Sequence, residues 1–172
     1  GLQEMHSAEH VTALRDACNE SGWECSFGRI HAQINGTPVA WKSEHWDKLD
    51  SRSSLLHRGL ARVCEKRFIT EVTLRRKGSS QVVRVLNTHF IPGAFKAHRG
   101  LRRRYWNAGS KRLRRRVWAA TQESRVDIIV VTGDMNRAIR RGRLIRGTVG
   151  GAKFTMHPSN RQNSIDQVYV GS

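Results

Sequence analysis

At 172 residues the chain is long enough for one domain with its own core and too short for two comfortable ones. Hydrophobic residues make up 38% of it, which excludes disorder by composition, and its longest apolar stretch, around Ile128 to Val131, is far short of a membrane span. Lys and Arg number 31 against 14 Asp and Glu, a formal charge of +17 carried mostly by Arg, whose planar fork grips phosphate. That balance favours contact with a polyanion, nucleic acid first, over a merely soluble basic surface. The three cysteines, Cys18, Cys25 and Cys64, form neither a CxxC pair nor an even framework and read as reduced thiols of a cytosolic protein. No secretory signal opens the chain, and a start at Gly1 rather than Met reads as a cut.

In chain order, Ser7 reads as the N-cap of a helix over Ala8 to Ser21, with Glu9 in its first turn and Gly22 just past its end. Arg29 to Ile34 and Pro38 to Lys42 flank Asn35-Gly36, a two-residue hairpin signal. Ser43 to Leu60 is polar and His-rich and reads as a loop. Cys64 to Arg75 and Gln81 to Phe90 form a second hairpin around Lys77-Gly78-Ser79-Ser80. His98 to Ser124 is a long helix whose stripe of Leu101, Tyr105, Leu113 and Val117 faces inward, with arginines filling the rest. Asp127 to Thr132 is an apolar run that reads as a strand buried on both faces. A basic, Gly-rich loop spans Arg137 to Gly151, and Ser164 to Val170 is a last strand. Hairpins mixed with covering helices, rather than strict β-α-β alternation, predict an α/β sandwich in a single domain.

Acids are scarce, so their positions carry information. Asp134 and Asn136 follow the apolar strand in Gly133-Asp134-Met135-Asn136, at a sheet edge where pockets form. The same four residues also read as an Asx turn that simply ends a strand. Period two puts Val83, Val85, Asn87 and His89 on one face, apolar deep in the sheet and polar at its tip, where His89 is either functional or a satisfied core histidine. Glu4 precedes the first helix, and Asp166 opens the last strand. Each alone is a weak signal, equally a cap or a salt-bridge partner.

Taken in order, Leu2-Gln3-Glu4, Asn87-Thr88-His89-Phe90, Val131-Thr132-Gly133-Asp134-Met135-Asn136 and Ser164-Ile165-Asp166-Gln167-Val168-Tyr169-Val170 resemble the motifs of the endonuclease/exonuclease/phosphatase superfamily. The resemblance runs from Glu4 to Val170, and Pro38 to Lys42 looks like the strand that follows the first hairpin turn in those proteins. It implies a four-layer sandwich: two mixed, mostly antiparallel sheets packed face to face, with helices outside. It implies that Glu4, with Asp134 as a second candidate ligand, binds Mg2+ or Mn2+. His89 would contact the scissile phosphate or leaving group, Asp134 would orient or deprotonate the attacking water, and Asn136 would bind the phosphate. Asp166 resembles the aspartate that pairs with a C-terminal histidine in much of the superfamily. The superfamily's first strand, with its asparagine, and its closing Ser-Asp-His segment have no counterpart here, so truncation at both ends and poor activity of the bare fragment are expected. His157, the sole late histidine, is not expected to substitute.

The resulting expectation is a Mg2+-dependent nuclease, monomeric and cytoplasmic, without membrane contact. Its Arg- and Gly-rich style suits a high-GC bacterium or a phage. Arg102 and Arg103 on the long helix, and Arg137, Arg140, Arg141 and Arg143 after the Asp134 motif, are the candidate backbone-binding residues, with a solvated basic face as the alternative. Two other functions fit the same scaffold. One is an inositol-phosphate or phospholipid phosphodiesterase or phosphatase. The other is an inactive nucleic-acid binder, against which the retained acids argue.

Overall fold

The computed structural model describes residues 1–5, 7–27, 36–138, 144–145, 147–156 and 165–172. Helix α1 (Ala8–Glu20) starts where the side chain of Ser7 accepts the His10 N–H, as its sequence predicts, and ends before Gly22 at φ +70°. Strands β1 (Trp23–Ser26) and β2 (Val39–Lys42) pair antiparallel in a sheet of their own. The partner of β2 is therefore β1, a stretch the sequence reading passed over; the strand expected at 29–34, with its turn at Asn35, falls outside the described residues.

A seven-stranded sheet forms the centre of the molecule, in the order β3-β4-β5-β6-β9-β8-β7. Its members are β3 (Trp46–His57), β4 (Arg67–Arg76), β5 (Val82–His89), β6 (Ile128–Asp134), β7 (Thr148–Val149), β8 (Ala152–Met156) and β9 (Asp166–Gly171). The hairpin β4–β5 closes antiparallel with Val72 opposite Val85, whereas β5 and β6 run parallel. The expected loop at Ser43 to Leu60 is instead β3, an edge strand, and its exposed Asp, Lys and Arg side chains disguised it. Strand β7 lies inside the stretch expected as a basic Gly-rich loop, and β8 follows directly after it.

Helix α2 (Gly100–Thr121) covers one face of the sheet. Its buried stripe is Trp106, Gly109, Leu113, Val117 and Ala120. Leu101, expected to face inward, is 53% exposed, and Tyr105 is only half-buried. The bulk of Trp106 seats the helix one position further round. At Gly109 a Cβ would press on Leu56 and Phe90 at 3.3 Å, so glycine lets the helix settle onto the sheet. On the opposite face Val39 and Trp41 of β2 pack against Val72 and Leu74 of β4. Ala40, on the far side of β2, looks toward Leu14, Ala17 and Cys18 of α1. The layers are thus α1, the small sheet, the large sheet and α2: the expected α/β sandwich, with sheets of unequal size. The small sheet covers the β4 side, and on β6 and β9 the same face, with Ile128, Val130, Val168 and Val170, is only half-buried. Strand β6 accordingly alternates between buried and half-buried rather than being buried on both faces.

Beneath α2 an ionic cluster replaces hydrocarbon. Glu71, 1% exposed, accepts two bonds from Arg116 (2.6 and 3.0 Å) and one from Arg52 (3.1 Å). Arg84, fully buried, binds Thr73 at 3.0 Å and both carboxylate oxygens of Glu123, which Arg52 also reaches at 3.0 Å. The cluster ties β3, β4 and β5 to the C-terminal part of α2 and to Glu123 just past its end. Every charge in it has a partner, and deleting one leaves another stranded in low dielectric. Glu71→Gln is therefore expected to cost about 3 kcal/mol in urea unfolding. A loss below about 0.5 kcal/mol would show that the cluster holds nothing. The arginine bonds, that of Arg84 first, hold the Glu123 carboxyl at about 2, below its ordinary 4.5. A depressed acid stabilises the fold above its unfolded value and ceases to as it protonates. Stability should therefore fall as pH drops from about 4.5 to about 2, and less steeply in Glu123→Gln.

Candidate active site

Strand register assembles the site. His89 ends β5, Asp134 ends β6 and Asp166 begins β9, and the ladders set His89 opposite Asp134 and Asp134 opposite Asp166. Three residues far apart in sequence thus stand at one level on adjacent strands. His89 is 3% exposed, and its Nε2 lies 3.5 Å from Asp134 Oδ2.

Gly133 makes this possible. At φ +149° it carries no side chain where the strand presses on β5, and a Cβ there would run into the Thr88 carbonyl oxygen. Beyond it the backbone folds over the sheet edge. The N–H of Asn136 donates to Asp134 Oδ1 at 2.6 Å, and Asn136 itself sits in the left-handed region at φ +46°, which asparagine tolerates. The Asx turn that competed with the functional reading is real, and the two coexist: one carboxylate oxygen holds the turn while the other faces His89. Asn136 Nδ2 donates to the Phe90 carbonyl at 2.9 Å.

The loop is pinned on every side. The N–H of Phe90 donates to the Asp134 carbonyl (2.8 Å), that of Met135 to the Ile165 carbonyl (2.8 Å), and the Trp106 indole to the Met135 carbonyl (2.7 Å). Gln167 Nε2 donates to the Arg137 carbonyl at 2.6 Å.

Glu4 reaches the same edge by another route. Asn87 Nδ2 donates to the carbonyls of Leu2 (2.7 Å) and Pro38 (2.8 Å), and its Oδ1 accepts from Gln3 at 2.9 Å. The N-terminal segment is thereby clamped beside β5, and the exposed Glu4 comes within electrostatic range of Asp134. Burial pushes the Asp134 carboxyl up to about 6, against the Asn136 N–H, with the negative charges of Asp166 and Glu4 adding to the rise and Arg67 opposing it.

The structure brings together Glu4, His89, Asp134, Asn136 and Asp166, all five expected site residues. Two contributors went unnoticed in the sequence. Asn87 is the clamp, although its motif was in view. Arg67, 8% exposed at the start of β4, sets its charge near Asp134. The signal for Arg67 was a cation, next to Lys66, opening a strand antiparallel to the one that ends in His89.

The expected backbone-binding arginines fare differently. Arg137 stacks its guanidinium on Phe95 (4.9 Å) and Trp106 (5.1 Å), so it braces the loop rather than projecting from it. Arg103 is exposed beside Phe95, and Arg102 donates to the Pro92 carbonyl at 3.4 Å. Arg140, Arg141, Arg143 and His157 lie outside the described residues.

No family model matches the sequence, and no curated protein does. Solved structures do match. An endonuclease/exonuclease/phosphatase family protein from Bacteroides thetaiotaomicron superposes with a TM-score of 0.70 at 12% identity, over 94% of this chain and 65% of that one. A mannosyl-6-phosphatase from the same organism gives 0.71 at 11% identity, over 95% and 67%. D. rerio TDP2, complexed with a single-strand DNA product, gives 0.62 at 12% identity, over 99% and 69%. The chain has the endonuclease/exonuclease/phosphatase fold. It spans about two thirds of the length of these structures. Within this fold the ends of β5 and β6 carry the polar cluster, and the glycine between the strands governs their spacing. Gly133→Ala is expected to force β6 off β5 and cost about 3 kcal/mol in urea unfolding. An unchanged midpoint would mean that the strands part without penalty.

Proposed function

We propose that this fold carries a metal-dependent phosphodiester hydrolase acting on nucleic acid. The observation that carries the reading is the alignment of His89, Asp134 and Asp166 on three adjacent strands, with Asn136 folded over the same edge. A formal charge of +17 supports a polyanionic substrate.

The donor set fits Mg2+ or Mn2+. Glu4 and Asp134 offer hard carboxylate oxygens whose charges repel one another, and a cation would relieve that repulsion. Among the described residues no three acidic, His or Cys side chains cage an ion by themselves. Mg2+ is commonly held by one or two carboxylates, with water and phosphate completing its shell. Bound by Glu4 and Asp134, the ion supplies neutralisation of the phosphate charge that otherwise repels a nucleophile.

The protein groups do the rest. The Asp134 carboxylate accepts the proton of a water as that water's oxygen bonds to phosphorus. The phosphorus–oxygen bond to the leaving group breaks, and its electron pair stays on the departing oxygen. His89, held against Asp134, hydrogen-bonds the phosphate or the departing oxygen. Asn136 directs its remaining N–H at a phosphoryl oxygen, where charge grows in the transition state. Asp166 raises the basicity of Asp134 from the neighbouring strand.

The test pairs activity with stability. The native protein is expected to nick supercoiled plasmid in Mg2+ and not in EDTA, with the rate of Asp134→Asn lower by about a thousandfold. The same variant removes a buried, repelled charge and keeps the turn. It should therefore be more stable at neutral pH by about 1 kcal/mol, which separates lost chemistry from lost fold. Plasmid binding without metal-dependent nicking would instead favour a pure binder. Hydrolysis of sugar or inositol phosphates but not DNA would favour a small-molecule phosphatase.

A further inference from the structure

Away from the carboxylate site, the end of β3 and the outer side of α2 enclose a cavity of about 340 Å3. It presents Arg58, Arg104 and Arg112, with Tyr105 and Leu101 as its apolar wall and His57 at its base. Among the described residues no acidic side chain lines it. The arginines beneath α2 are the contrast, since Arg52, Arg84 and Arg116 are all paired to Glu71 or Glu123.

His57 supplies the second observation. It is 1% exposed, and its ring stands edge-on to Tyr105 at 5.9 Å. The N–H of Gly59 donates to Nδ1 at 3.1 Å, so Nδ1 is an acceptor and the neutral ring carries its proton on Nε2. That Nε2 is buried and has no partner among the described residues. A buried donor without an acceptor costs free energy, and the charged side chains lining the cavity bring only further donors. Three arginines lining one cavity with His57 make a site for an oxyanion, and planar N–H forks match phosphate oxygens.

We propose that this cavity binds a phosphate group, held by the His57 Nε2–H and by Arg58, Arg104 and Arg112. The apolar wall of Leu101 and Tyr105 leaves room for what the phosphate is attached to. The phosphate belongs either to the strand held at the carboxylate site or to a separate phosphorylated molecule. Arg67 stands between the two places: it lies opposite His57 in the β3–β4 ladder, and its charge is felt by both His57 and Asp134.

Burial and the charges of Arg67 and Arg112 hold the His57 imidazole down at about 4. The charged groups facing it are Arg58 on its own segment, Arg67 on β4, and Arg104 and Arg112 on α2. A bound dianion therefore raises its pKa, which gives a direct readout by NMR of histidine-labelled protein. The experiment uses Asp134→Asn in EDTA, so binding is read without metal or catalysis and stands or falls apart from the proposed hydrolysis. Inorganic phosphate is expected to shift the His57 resonances saturably and raise the imidazole pKa by at least about one unit. Arg104→Gln, on the exposed side of the helix, should weaken binding about tenfold, and His57→Phe should abolish it. If a single-stranded oligonucleotide moves His57 at far lower concentration than inorganic phosphate does, the phosphate comes from the strand. If only phosphate or a mononucleotide does so, the ligand is separate. No shift with any of these probes, or an equal shift with chloride at matched ionic strength, overturns the proposal.

Discussion

Gly133 and the Thr88 carbonyl approach more closely than any side chain would allow, and much of the site depends on that approach. It keeps β6 parallel to β5 up to the last pair, so Asp134 arrives beside His89 rather than a residue short or beyond. A slip of one residue would turn every side chain of the strand to the other face. The antiparallel pairing of β9 then adds Asp166 at the same level. The loop that follows is fixed because its backbone groups are spent on Phe90, Ile165, Trp106 and Gln167. A cluster built on strand ends and pinned by main-chain bonds holds its geometry without relying on flexible side chains.

The second constraint is the scarcity of acids. In a chain with 31 Lys and Arg against 14 acids, two groups of carboxylates show opposite electrostatics. Glu71 and Glu123 are surrounded by arginines and neutralise the inner face of α2. Glu4, Asp134 and Asp166 are instead set near one another, with Arg67 as a minor counterweight. The first arrangement holds the strands together. Burial first, and the second arrangement in addition, raise the Asp134 carboxyl to about 6, at some cost in stability, and perturbed groups of that kind gather at working sites.

Much of this was legible in the sequence, and the failures share a cause. Helix α1, the β4–β5 hairpin and the ends of β5 and β6 were readable because cap, turn and alternation agreed. The candidate site positions stood out only together, through the order of motifs that resembles the superfamily, since each alone is equally a cap or a salt-bridge partner and Glu4 ends no strand. β3 was not, because an edge strand need satisfy only one neighbour and can be polar along most of its length. Of the stripe expected on α2, Leu113 and Val117 are buried, but Leu101 continued a regular spacing that packing did not honour, and Trp106, one position past Tyr105, fills the space. Arg137 looked like a phosphate ligand by its neighbours in sequence. Its rings lie in other segments, at Phe95 and Trp106, which no local pattern reveals.

Arg67 shows how far tertiary placement exceeds sequence. It sits where β4 begins, beside the end of β5, and so joins two regions that share no motif. On one side its charge opposes the rise of the Asp134 carboxyl; on the other it helps keep His57 neutral. Its Nε, like the His57 Nε2, is buried without an acceptor among the described residues. Two buried donors on adjacent strands, both lacking acceptors, are costly unless something anionic meets them. A polyanion crossing this edge of the sheet, as proposed above, would bring acceptors to both at once.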